Sequence, residues 1–294
     1  MINKLIIYLK ALKVCLITKS IKRAEFYIYE QGMDVSKYDD DMLIAQLGYF
    51  GHHTEKALKH HDRGNRGKHK RDKLELLIKE FKNREINESR VIEWAQNLVD
   101  YYDENQKIYI KHTDKISIHP QKEQILQFIK ARTTTRFWQP REIDDNTVRD
   151  ILETAISSAL SCNRQTIRFS VVKNEIENMV IGDSNNKSMF NKAPLTIYVS
   201  DDSRFFAEKY GNSLNVGGVC SLIQLAASAY GISSTWMYYA DFYDQDEIRK
   251  KLGLNDYMFV YSVISLGYPL DDQTKPPRCD VDRFIIKRKN NENR

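Results

Sequence analysis

Apolar residues recur at three- and four-residue spacing through most of the first 120 positions, the period of a helix with one buried face. In DKLELLIKEFK (72–82) and ESRVIEWAQNLVDYY (88–102) the pattern predicts two amphipathic helices, the second opened by Asn87 as a cap. A further short helix is predicted over QKEQILQFIK (121–130), where Ile125, Phe128 and Ile129 share a face. It should stop near Arg132, because three successive threonines lose side-chain freedom against a preceding helical turn. Beyond it the period changes. IRFSVVKN (167–174), APLTIYVSDD (193–202) and YMFVYSVISLGYP (257–269) are β-rich runs bounded by polar residues, and each predicts a strand. Between the second and third lies GGVCSLIQLAASAYGI (217–232), apolar on nearly all sides. This predicts a helix opened by Gly217-Gly218 and ended by Gly231, buried in a core or at a subunit interface.

Helices followed by strands interspersed with helices indicate a layered α/β or α+β domain. The turn chemistry of KISIHPQKE (115–123) around Pro120 divides a helical extension, 1–120, from the strand-bearing part, 121–294. The start, MINKLIIYLKALKVCLITKS, is interrupted by Lys4, Lys10 and Lys13, which argues against a bilayer span and against a cleaved leader. An amphipathic helix docked on the protein's own body is the default reading. Peripheral contact with a membrane surface is the minor alternative.

Charge and cysteine narrow the picture. The segment KHHDRGNRGKHKRDK (59–73) holds seven Lys or Arg and two Asp, which accounts for the whole net charge of +5. The excess is thus one local basic stretch, expected to be a mobile surface loop that takes no part in cofactor binding. It lacks aromatic residues to stack bases, so a nucleic-acid partner is not expected. Cys15, Cys162, Cys220 and Cys279 form no CxxC pair, which fits reduced thiols and a cytoplasmic protein. His52, His53, His60 and His61 cluster near Glu55, but adjacent histidines diverge and no carboxylate pair completes a shell. They read as surface histidines, and no metal is expected.

The stretch ARTTTRFW (131–138) sets Arg132 and Arg136 about three threonines. Guanidinium forks and hydroxyls on so short a backbone suit a phosphate. A helix end followed by a strand, with cationic side chains at the helix C-terminus, is the plainer alternative.

Four pieces then fall into one order: RTTTRFW, SCNRQTIRFSVV, GGVCSLIQLAASAYGISSTWM and SLGYPLDDQTKPPRCDVDRF. This order resembles the nitroreductase family of FMN-dependent oxidoreductases. The resemblance covers roughly 121–294 and implies a three-layer α/β/α core of α+β class with a mostly antiparallel sheet. It also implies FMN, reduced by NADH or NADPH, passing electrons to a small-molecule acceptor, in a homodimer. HHTEKAL (52–58) is similar to a stretch in the helical extensions of nitroreductase-like proteins encoded with surface-polysaccharide genes, with Ala57 in place of the usual glycine. An accessory protein docking through residues 1–120 is the alternative that follows from it.

Carried onto these positions, the resemblance gives Arg132, Thr133, Thr134 and Arg136 to the FMN phosphate, ribityl chain and pyrimidine edge. Arg278 closes on the phosphate, with Lys275 the weaker candidate. Ser161, Asn163 and Gln165 belong to the loop given to the other subunit's flavin. Thr235, Trp236 and Met237, within STWM, lie near its reactive nitrogen. No residue is assigned as catalytic, since the flavin carries the chemistry. There are departures. Ala159-Leu160 replaces the family's Pro-Ser, and Thr166-Ile167 replaces its Pro-Trp. The pocket wall therefore differs, the substrate does not carry over, and part of the active-site cover is expected from the N-terminal half.

Overall fold

The computed structural model describes residues 2–18, 20–32, 34–59, 65–104, 122–173, 193–205, 210–238, 244–271 and 275–286. The expected boundary at Pro120, and His60 and His61, lie outside these residues.

Five helices come first: α1 (Ile2–Thr18), α2 (Ile21–Gly32), α3 (Asp40–Leu58), α4 (Lys68–Asn83) and α5 (Ser89–Asp103). Asp39 starts α3 by accepting from the Met42 amide at 2.8 Å. The helical period of 72–82 resolves into Leu74, Leu77, Ile78 and Phe81, all buried against Leu43, Leu47 and Phe50 of α3. Two expectations need correction. Residues 68–73 are the first turns of α4 rather than a loop. The reason is local: Lys70 and Lys73 lie over the Phe50 ring at 5.0 and 5.2 Å, and Arg71 is held by Glu75 and Asp103. Nor is Asn87 the cap of α5. That helix begins at Ser89 after Glu88, with no side-chain cap bond. Helix α1 packs on α2 through the buried Ala11, yet Leu5, Leu9, Leu12 and Leu16 stay more than half exposed.

The second part is built on one sheet. Strands β1 (Ile167–Val172), β2 (Leu195–Asp202), β3 (Ser233–Tyr238) and β4 (Met258–Gly267) lie in the order β1-β2-β4-β3, every pair antiparallel. Strand β2 is central and buried at every position, so its apolar run shows no alternation. Helices α7 (Asp145–Ala155) and α8 (Gly211–Ala229) cover one face, packing Val148, Ile151, Val219 and Ile223 on Ile197, Val199 and Ile264. Helix α9 (Gln245–Leu252) covers the other with Ile248 against Tyr198, Val260 and Val263. The three layers are those of the expected α+β core.

Helix α6 (Lys122–Ala131) ends one residue before Arg132, as the threonines require. Gly231, with φ +68°, terminates the turn after α8. Gly217-Gly218, however, lie inside α8 instead of opening it. The helix starts six residues earlier because Asn212 and Asn215 are buried with partners. Gly218 is small for packing reasons, since a Cβ there would come within 2.6 Å of the Ser158 hydroxyl.

The two parts are joined by polar contacts. Arg204 is buried between Asp202 and Asp39. Arg23 donates to Asn212 Oδ1 at 2.7 Å, and Arg168 to Asp41. Phe26 meets Phe205 edge-on at 4.8 Å.

Candidate active site

The predicted site residues form two groups. In the first, residues 132–138 run beside the edge strand β3. Thr134 bridges to Ser234, the Thr135 amide donates to the Ser234 carbonyl at 3.3 Å, and the Thr235 hydroxyl donates to the Thr135 carbonyl. Arg132 folds back on its own segment, donating to the Thr133 carbonyl at 2.9 Å and the Thr134 hydroxyl at 3.4 Å. A guanidinium and hydroxyls are thus held together, half-buried, while Arg136 is exposed beyond them. Lys275 donates to the carbonyl of Lys130, so the late basic segment returns to the end of α6, and Arg278 follows it as an exposed residue. These side chains fit a phosphate: cations and hydroxyl donors, with no carboxylate among them.

Along β3, Thr235 is buried, Met237 packs on the cluster around Val263, and Trp236 is exposed. The Ser234 carbonyl points away from β4. Backbone groups two residues apart in a strand point the same way, so the Trp236 N–H also faces the open edge. Among the described residues that edge is uncovered beyond Ser234, so the Trp236 N–H is a backbone donor available to a planar ligand.

The second group is the loop Ser161–Gln165, which leads into β1, the opposite edge of the sheet. Ile167 is level with Phe259 of β4 through Asp201, whereas Ser234 is level with Leu266. Three strand spacings and seven residues of β4 separate the groups, roughly 14 Å across and roughly 24 Å along the sheet. One chain therefore does not bring Ser161, Asn163 and Gln165 to Arg132, Thr134 and Thr235.

The loop is held in an unusual shape. Cys162, Asn163 and Gln165 have φ of 52°, 52° and 56°, the left-handed region that a side chain disfavours. Its surroundings impose this. A Cβ at Gly48 of α3 would come within 2.0 Å of the Asn163 carbonyl oxygen, so helix backbone lies directly on loop backbone. The Arg164 guanidinium sits 4.6 Å from the Tyr49 ring. From the core side, Asn215 of α8 accepts the Ser161 amide at 3.0 Å and reaches Asp201 at 3.5 Å. Asp201 is fully buried and its Oδ1 has no hydrogen-bond partner among the described residues. Burial pushes its carboxyl up to about 7 against the lowering effect of Thr166 and Asn212.

Gly48, Asn215 and Asp201 are absent from the sequence reading. Two asparagines, 212 and 215, at the start of an apolar helix are the signal that could have flagged the last two. Nothing local marks Gly48. On α3 the His52 and His53 rings are 5.5 Å apart. Burial, helped by Lys70, lowers His53 to about 4. Among the described residues no group of three or more His, Cys, Asp or Glu is arranged to hold a metal ion.

An antiparallel sheet between helical layers has known counterparts. No family model matches the chain. A protein of Archaeoglobus fulgidus named NADH dehydrogenase/NAD(P)H nitroreductase is 29% identical over 157 residues, 51% of this chain and 88% of that protein. One of the same name from Methanothermobacter thermautotrophicus is 28% identical over 184 residues, 61% of this chain and 95% of its own. The structure of nitroreductase A from Vibrio parahaemolyticus shares the fold with a TM-score of 0.51 at 15% identity, covering 57% of this chain and 77% of that one. So does a NADH dehydrogenase/NAD(P)H nitroreductase from Parabacteroides distasonis, with a TM-score of 0.50 at 20% identity, over 56% and 98%. The fold is the nitroreductase fold, and the chain's sequence relatives carry the nitroreductase name.

Proposed function

We propose that the protein is an NAD(P)H-dependent oxidoreductase using FMN, with the cofactor at the boundary of a homodimer. The names of its sequence relatives support this reading, and the observation that carries it is the seating of Arg132 and Thr134 beside the open edge of β3. When bound, FMN would carry a hydride from NADH or NADPH to a small organic acceptor, which takes one proton from solvent to complete its reduction.

The chain's own residues hold and orient. Arg132, Arg136 and Arg278 bind the phosphate, with Thr133 and Thr134 as hydroxyl donors. The Trp236 N–H and its neighbours on β3 donate to the ring edge, where negative charge accumulates on reduction. Ser161, Asn163 and Gln165 cover the flavin of the other subunit. The distance between the two groups favours this arrangement, since both reach one ligand only if they come from different copies. Exposed apolar side chains are consistent with a covering subunit: Phe137 is 61% exposed, Leu214 76% and Phe284 68%. A ping-pong cycle follows if the nicotinamide leaves before the acceptor enters.

The test is anaerobic addition of NADH or NADPH to purified protein. A yellow protein bleached stoichiometrically and recoloured by an acceptor supports the reading. A colourless protein that takes up no FMN overturns it. That result would favour an accessory protein docking through residues 1–120.

A further inference from the structure

Between the helical extension and the loop 161–165 lies a cavity of about 450 Å³. The extension contributes Asp41 and Ile44 of α3 and Glu88 and Val91 at the start of α5, while Asn163 and Gln165 form part of the opposite wall. Such a volume suits a small organic molecule. Its surface has two characters. Ile44 and Val91, with Ile156, Leu160 and Ile167 across from them, form an apolar body. The carboxamides of Asn163 and Gln165 offer both donors and acceptors.

The charges are unequal. Arg168 pairs with Asp41 and also donates to the carbonyls of Gln165 and Ile167 at 3.0 and 2.8 Å, so its charge is spent on the loop and on α3. Asp41 also accepts from Tyr257 at 3.2 Å. Glu88 is exposed at the rim, and no ion pair among the described residues offsets it. The lining thus carries one uncompensated negative charge.

We infer that this cavity holds the acceptor, and that it takes a flat apolar molecule which is neutral or bears a cationic amine toward Glu88, while excluding anions. The inference rests on the oxidoreductase reading, under which Asn163 and Gln165 border both the cavity and the flavin. It gives the extension a chemical task. The family's proline and tryptophan after the loop are replaced here by Thr166 and Ile167, and α3 and α5 supply a wall in their stead.

The probes are 4-nitrobenzylamine, 4-nitrobenzyl alcohol and 4-nitrobenzoate, which share a ring and differ in charge. Their affinities for the oxidised, FMN-loaded protein are measured by calorimetry without nicotinamide. One partly solvated carboxylate separates cation from anion by about tenfold, so the amine should bind at least that much tighter than the benzoate, with the alcohol between. Glu88→Gln should bring the three within about threefold. Val91→Trp, which fills the cavity, should weaken all three while FMN content is retained. The inference is overturned if the wild type binds the three equally or binds none. It is equally overturned if Glu88→Gln keeps the ranking or Val91→Trp leaves the affinities unchanged. A protein without flavin that still ranks the probes in this order would refute the oxidoreductase reading and uphold the cavity as a site. Flavin that is reduced normally, with no ranking of probes, would refute the cavity alone.

Discussion

Replacing Gly48 by alanine tests whether the extension and the loop 161–165 form one mechanical unit. The added methyl would stand 2.0 Å from the Asn163 carbonyl oxygen and 2.9 Å from its carbon, against an ordinary contact of 3.4 Å or more. The obstructing atoms are backbone, so no rotamer change relieves the overlap. Either α3 backs away from its seat or the loop shifts. Overpacking of a well-filled site costs about 1–3 kcal/mol, while alanine's better helix propensity returns at most about 1. A net loss of about 1–2 kcal/mol should appear as a lower urea midpoint at unchanged slope.

Gly51→Ala is the matched control, because its methyl meets only the Trp94 ring, at 2.3 Å, within the extension. Both variants should lose stability. Only Gly48→Ala should also weaken FMN binding, since only there does the displaced element carry Asn163. Equal FMN affinity in the two variants would refute the coupling. A Gly48→Ala protein as stable as wild type would mean that α3 does not sit on the loop at all.

Three other outcomes are expected. Arg204→Ala leaves Asp202, 2% exposed, as a buried unpaired carboxylate, and should cost about 3–5 kcal/mol in denaturant unfolding. Asp201 has a folded value raised to about 7, so the folded state binds its proton more tightly than the unfolded one. Its contribution to stability is complete below about pH 4 and is lost as pH rises to about 7, and Asp201→Asn should flatten that decline in thermal melts at pH 5 and pH 8. Arg132→Ala should weaken FMN by about ten- to a hundredfold in a flavin fluorescence titration and leave riboflavin, which lacks the phosphate, nearly unchanged. An equal loss for both ligands would mean that Arg132 holds the fold or the ring.

What the sequence made legible follows the strength of each periodic signal. The i, i+3, i+4, i+7 set in α4 and the runs of β2 and β4 bury one or both faces completely, so their patterns are strong, while β1 was legible from its β-rich composition although only Ile167 and Val172 are buried. Strand β3 escaped because it is a half-exposed edge whose run Ser-Ser-Thr-Trp-Met-Tyr has no clear alternation. Helix α9 buries only Ile248, too little to show a period. Composition misled at 68–73, where cationic residues read as solvated loop although Lys70 and Lys73 lie on aromatic rings across the helix pair. The side chains proposed to hold a phosphate could be singled out because most of them lie within one short stretch, 132–136. The contacts that shape the loop were not, because Gly48, Asn163, Asp201 and Asn215 are far apart in the chain.

That loop also gives the extension its meaning. Three non-glycine residues in the left-handed region persist only where neighbours over-determine them, each at a cost of about 1–3 kcal/mol. In this chain the neighbours come from both parts: Asn215 from the sheet-bearing part and the bare backbone of Gly48 from the extension. Arg168 adds a third restraint by holding the Gln165 carbonyl while paired to Asp41 of α3. A separately tethered module would have no reason to place its helix backbone in contact with the most strained turn of the core. The buried Arg204 pair fixes the position of the same α3 terminus through Asp39. Whatever the loop binds, its geometry is therefore set jointly by the two parts, and removing the extension should alter the site and not merely shorten the protein.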